Sequence, residues 1–168
     1  MPAWTKAARE ELLRVASDYQ RVITYTELWD HVQEVTGLRT NVPMRHGVGK
    51  LLASVVHLSH AMGDPPITSL CVRQDGTIGD GYVFALEVNG QSPPHDLEMQ
   101  AAEDRLTCYQ QLATNVPSDG GKPYFTAEVR RKRDYAARAT SSRPKIEGAM
   151  CPNCNTQMPL TGVCDNCG

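Results

Sequence analysis

The sequence predicts an α+β protein, mainly helical, followed by a small cysteine-rich module. Three observations carry that prediction. Apolar residues recur at helical spacing through most of residues 3–113. A stretch rich in β-formers and turn residues interrupts them at 67–86. Two CxxC pairs, Cys151-Pro-Asn-Cys154 and Cys164-Asp-Asn-Cys167, lie beyond a basic segment.

Residues 3–19 read as a first helix, with Trp4, Ala8, Leu12, Val15 and Tyr19 on one face and Arg9, Glu10 and Arg14 between them. Arg21-Val22-Ile23 reads as extended. Thr24-Tyr25-Thr26-Glu27 has the pattern of a capping box, in which Thr24 accepts from the first helical turn and Glu27 reaches back. The helix it opens carries Leu28, Trp29, Val32 and Val35 and stops at Gly37. Asn41 is the expected N-cap of a third helix, with Pro43 in its first turn, running to about Met62. Residues 67–72 then read as a strand, Asp75-Gly76 as a tight turn, and Tyr82-Val83-Phe84-Ala85-Leu86 as the return strand of a hairpin. A further helix is expected over 95–113, carrying Leu97, Ala101, Leu106 and Leu112. Residues 115–123, rich in Gly, Pro, Ser and Asp, read as a linker, and 126–139 as a short basic helix. Thr140 to Gly148 reads as a flexible joint.

Three helices followed by a hairpin is a winged-helix-like order, in which the third helix can enter the major groove of DNA. The resulting organisation is a winged-helix-like domain with an extra helix over 1–115, a linker and basic segment over 116–150, and a four-cysteine zinc ribbon over 151–168.

The net charge of −2 conceals a split. Residues 1–122 hold 10 Lys/Arg against 15 Asp/Glu, whereas 123–150 hold seven against three. The cationic run Arg130-Arg131-Lys132-Arg133, continued by Arg138, Arg143 and Lys145 and interleaved with Tyr124, Phe125 and Tyr135, combines phosphate-neutralising and base-stacking side chains. No apolar run approaches the roughly 20 residues of a membrane span. The first residues lack a secretory h-region, so a cytoplasmic location is expected, with no membrane partner. The size suits a bacterial or phage accessory protein.

Paired CxxC turns each aim two sulfurs at one ion, and four thiolates suit tetrahedral Zn2+. Cys151, Cys154, Cys164 and Cys167 are the expected ligands. Four cysteines leave no open position for hydrolytic chemistry, so the site is expected to be structural. The segment holds no Lys or Arg, and Met158, Leu160 and Val163 are its candidates for contact with a protein partner. Cys71 and Cys108 lie in apolar contexts and are expected to be buried. His57 and His60 stand at i, i+3 with no third ligand nearby, which favours polar packing. The carboxylate pairs Glu10-Glu11 and Glu103-Asp104 read as solvated helix faces. No P-loop, GxSxG, HExxH or deaminase pattern appears.

Three pieces over residues 20–85 resemble the O6-alkylguanine DNA alkyltransferase family. Arg21-Val-Ile-Thr-Tyr-Thr-Glu-Leu28 resembles its V-T-T-Y-G-E-L segment, His46-Gly-Val-Gly-Lys-Leu-Leu52 its R-A-V-G-x-A-L helix start, and Asp75-Gly-Thr-Ile-Gly-Asp-Gly-Tyr82 its D-G-x-L-G-G-Y stretch. The resemblance implies that Tyr25 acts near a DNA phosphate. It also implies that His46, or Arg45 one residue earlier, probes the base stack, with Lys50 on the same helix. The family's P-C-H-R-V acceptor run is absent. Cys71 stands too close to Asp75-Gly76 and has no histidine after it, so alkyl transfer is unsupported.

The function these features favour is a non-enzymatic, regulatory or accessory protein that binds duplex DNA through Tyr25, Arg45, His46, Lys50, Arg130, Arg131, Lys132 and Arg133. A protein-interaction adaptor, docking partners through the acidic domain and the zinc ribbon, is the alternative. Alkyltransferase-like recognition of damaged bases is a third reading.

Overall fold

A computed structural model describes residues 2–141, 149–159 and 163–167. The chain divides into two compact units, Met1–Arg131 and Lys132–Gly168. Its order is α1 (Pro2–Ala16), β1 (Ile23–Thr24), α2 (Tyr25–Thr36), α3 (Met44–Met62), a 3-10 turn (Ile67–Leu70), β2 (Cys71–Val72), a second 3-10 turn (Asp80–Tyr82), α4 (Val83–Val88), α5 (Leu97–Leu112) and α6 (Ala127–Ser141). The described residues are therefore mostly helical, with one small sheet among them.

The first unit is organised around α1, which packs against α2, α3 and α5. Its buried stripe, Trp4, Ala8, Leu12 and Val15, follows the helical period and meets Leu28, Trp29 and Val32 of α2. Trp4 and Trp29 stack edge to face, with ring centroids 5.0 Å apart. Gly47 of α3 lies directly beneath the Trp29 ring, where even a methyl group would collide with it. The α2 capping box forms as the sequence predicts. Thr24 Oγ1 accepts from the Glu27 N–H, and Glu27 accepts from the Thr24 N–H at 2.7 Å. Both α2 and α3 end at left-handed glycines, Gly37 and Gly63.

α3 starts later than Asn41 would place it. Its N-cap is Pro43, whose carbonyl accepts from His46 and Gly47. A residue before proline is pushed to extended backbone, so the helix begins only after that ring.

The predicted hairpin is not formed. β2 instead pairs in parallel with β1, with Ile23 opposite Cys71 and Thr24 opposite Val72. The turn at Asp75-Gly76 does close, through the Arg73 N–H to the Thr77 carbonyl at 2.8 Å. The chain then enters a 3-10 turn and α4 rather than a return strand. Tyr82, Ala85 and Leu86 are buried at i, i+3, i+4 against Val56 and Ala101, while Val83 and Phe84 are less buried. Helical burial on α3 and α5 overrides the β-propensity of Tyr-Val-Phe.

Two carboxylates expected on solvated faces are inside. Glu11 is buried and binds Arg14 and His31. Asp104 is buried and accepts from the Tyr82 hydroxyl at 2.5 Å and from Gln100 at 3.3 Å. Burial raises the pKa of Asp104, and the hydrogen bonds from Tyr82 and Gln100 oppose that rise.

Arg105, beside it, is completely buried. Its Nε donates to the Ser69 carbonyl at 2.7 Å and its Nη1 to the Tyr124 carbonyl at 3.1 Å. The segment after α5 is thereby held on the first unit. Asn115 bonds Asp18 and Tyr19, Thr126 Oγ1 donates to the Gly76 carbonyl, and Val129 is buried.

Two stability predictions follow from these contacts. Arg105→Met leaves the buried Ser69 carbonyl and the part-buried Tyr124 carbonyl without their donor and is expected to cost about 3 kcal/mol in urea unfolding. Glu27, held below its ordinary value of 4.5 by bonds from the Thr24 backbone and hydroxyl, stabilises the fold above that pH. Its contribution is lost as pH falls through the folded-state pKa, so Glu27→Gln is expected to flatten the acid limb of a stability–pH curve below about pH 4.5.

Candidate functional site

The first unit contains a cavity of about 390 Å³ between α3, the β2 end and the loop into α4. α3 supplies Val48, Leu52 and Val56 to one wall, with Arg45 at its first turn. The opposite wall is Ile78, Gly79 and Tyr82, and Thr68 and Cys71 line the same space. Tyr25 reaches it from the first turn of α2. An apolar hollow with few polar groups at its edge is the usual form of a ligand site.

Tyr25 is half-buried and hydrogen-bonded by the Gly79 backbone, and a Cβ at Gly79 would strike its hydroxyl. Burial, then the neighbouring Cys71, push its pKa up, so Tyr25 stays neutral and its hydroxyl can donate a hydrogen bond to an acceptor. Arg45 is exposed, and its Nε donates to His46 Nε2 at 3.0 Å. Tyr25 and Arg45 are thus brought together along the cavity. His46 and Lys50 are exposed on α3 beside it, though neither lines it.

Cys71 is buried at 1% exposure, and burial pushes its thiol far above the ordinary range, which disfavours a thiolate nucleophile. Cys108 is likewise buried, its thiol pushed up to about 12. His57 packs edge to face on Phe84, and His60 bonds Asn89, both in line with polar packing.

The basic run lies on α6. Arg130 and Arg131 are exposed in the first unit, with Arg131 paired to Glu128. In the second unit Lys132 is exposed and Arg133 half-buried. Consecutive helical residues fan out by about 100°, so the four cations surround the axis rather than forming one stripe. Arg143, Lys145 and most of the expected joint lie outside the described residues, as does Leu160.

Sequence reasoning missed the groups that hold the cavity walls. Asp104 grips the Tyr82 hydroxyl, Glu98 accepts from the Ile78 N–H at 2.7 Å, and Arg105 fixes the Ser69 carbonyl next to Thr68. One signal was available. Ala101, Ala102, Cys108 and Tyr109 form an apolar face at helical spacing, and Arg105 stands in its middle.

In the second unit the four cysteines converge. Their sulfurs all lie within 4.8 Å of one another, and none forms a disulfide. The Cys151 carbonyl accepts from Asn155, which adopts a left-handed backbone at φ 57°, and the Cys151 N–H reaches the Thr156 carbonyl. The Met150–Gln157 bridge and the Met158 N–H to Ala149 bond close this loop into a short antiparallel turn. The Thr156 hydroxyl lies 3.1 Å from Cys154 Sγ. The arrangement is compatible with one metal ion held by four sulfurs. Among the described residues, no helix is long and apolar enough to cross a membrane.

No protein-family model matches the chain, and no curated protein or solved structure matches it at a significant level.

Four sulfurs around one ion predict about one metal equivalent per chain. Cys154→Ser is expected to lower that content sharply in elemental analysis of the purified protein, and a chelator is expected to remove what remains.

Proposed function

We propose that this chain is a non-enzymatic DNA-binding protein whose first unit engages duplex DNA and whose C-terminal unit is a structural zinc ribbon. The observation that carries the reading is the pairing of Tyr25 and Arg45 along an apolar cavity next to the exposed cations of α3. A guanidinium and a neutral phenol are phosphate and base-edge donors. The apolar hollow between them has room for an unstacked base, with apolar and aromatic side chains to cover its faces. Lys50 extends the cationic surface with His46 as a polar neighbour, and Arg130, Arg131, Lys132 and Arg133 add sequence-independent phosphate contacts. The buried, high-pKa thiol of Cys71 supports binding without alkyl transfer.

Zinc fits the cysteine cluster, with the sulfurs all within 4.8 Å of one another. Bonds of about 2.3 Å in a tetrahedron place sulfurs about 3.8 Å apart. The separations of 3.5 Å between Cys154 and Cys164 and 4.0 Å between Cys151 and Cys167 bracket that edge. Bound zinc would fold and staple this unit.

A protein-docking role has its own support. Val35, Leu38 and Val42 leave apolar side chains exposed around the end of α2, and Met150 and Val163 do so on the cysteine unit.

Titration of the zinc-loaded protein against labelled duplex and single-stranded DNA at several salt concentrations tests the reading. Salt-sensitive duplex binding is expected, weakened by Arg45→Ala. Replacing Arg130, Arg131, Lys132 and Arg133 together with Ala is expected to lower the slope of log K against log salt. Absence of binding at low salt, together with a stoichiometric protein partner on purification, would replace it with the docking role.

A further inference from the structure

One wall of the cavity carries an ion pair that does little for stability. Arg73 and Asp80 stand on the two arms of the Asp75-Gly76 turn, and Arg73 Nη2 donates to Asp80 Oδ2 at 2.8 Å. The turn between them is fixed at several points. Asp75 accepts from the Thr77 N–H at 3.1 Å and from its hydroxyl at 2.6 Å. Thr126 holds the Gly76 carbonyl at 2.9 Å, and Glu98 holds the Ile78 N–H. The two charges therefore meet because the backbone sets them opposite each other.

Their surroundings differ. The Asp80 side chain is 92% exposed and that of Arg73 is 43% exposed. A pair this wet contributes little to folding, because water and salt screen it. Asp80 can leave for water at small cost, while Arg73 keeps its place along the cavity wall. A guanidinium takes a phosphate in the same forked geometry as a carboxylate. Arg45 lines the same cavity from α3, so two guanidiniums border the space. Gly81, next to Asp80, faces open space.

We propose that Arg73 is a DNA-phosphate contact and that Asp80 is its resident anion, displaced when a backbone phosphate arrives. The inference rests on the duplex-DNA reading above and adds a selective element to it. Asp80 repels a polyanion that lies loosely on this surface, and it yields only to one that delivers a phosphate within reach of Arg73. The pair thus favours DNA seated over the cavity against DNA held by the diffuse cations alone.

A double-mutant cycle in the full-length, metal-loaded protein tests it, with duplex affinity measured at several salt concentrations. Arg73→Gln is expected to weaken binding and to reduce the log K against log salt slope by about one. Asp80→Asn is expected to tighten binding roughly two- to fivefold, the range of a surface ion pair. In the Arg73→Gln background that gain is expected to shrink to the smaller effect of removing one surface charge. Equal tightening in both backgrounds would mean that Asp80 acts only through the general field, and it would overturn the proposal. An unchanged salt slope in Arg73→Gln would do the same. Wild-type protein that fails to bind duplex DNA defeats the DNA reading and this inference together, whereas wild-type binding with an uncoupled cycle defeats the inference alone.

Discussion

A guanidinium with no exposed surface sits at the centre of the first unit, and the cavity depends on it. Arg105 binds the Ser69 carbonyl on one side and the Tyr124 carbonyl on the other. The first contact fixes the 3-10 turn that carries Thr68 and leads into β2. The second holds the chain that descends from α5 toward α6. A buried cation is costly unless its donors are engaged, and desolvation lowers the pKa of Arg105 against the opposing pull of Glu98. That cost makes the position demanding: these carbonyls must stay where they are for the arginine to be tolerated.

α5 extends the same logic along its length. Glu98, Asp104 and Arg105 each grip a different stretch of the cavity lining, through the Ile78 N–H, the Tyr82 hydroxyl and the Ser69 carbonyl. Thr126 adds a fourth tie at Gly76, one residue before α6 begins. The walls are therefore held from behind by polar contacts, while their inner surfaces remain mostly apolar. The hollow so framed has a mostly apolar interior with the guanidiniums of Arg45 and Arg73 on its border.

The acidic balance of residues 1–122 overstates the acidity of the surface only slightly, because the buried charges include Arg105 as well as Glu11 and Asp104. Glu11 and Asp104 are buried, and Asp64 is shielded in a two-pronged contact with Arg9 at 2.6 and 2.7 Å. Arg45, His46 and Lys50 remain outside on α3. Charge summed along a sequence counts interior and exterior groups alike, whereas a polyanion meets only the exterior.

Local chemistry was legible in the sequence. The Thr24–Glu27 capping box, the glycine stops at 37 and 63, the tight turn at 75–76 and the convergence of four cysteines each depend on residues a few positions apart, or on one rigid spacing motif. Such features carry their physical cause within the motif. The tertiary structure decided the rest. Tyr82-Val83-Phe84 has strand propensity, yet it turns helical because Tyr82, Ala85 and Leu86 find a core on α3 and α5. Asp104 reads as surface charge until Tyr82 packs on α5 and donates to it. Tyr25 and Arg45 line one cavity only because two different helices are packed side by side. Burial and long-range pairing are properties of the packed chain, and no local pattern of side chains encodes which partner will be there.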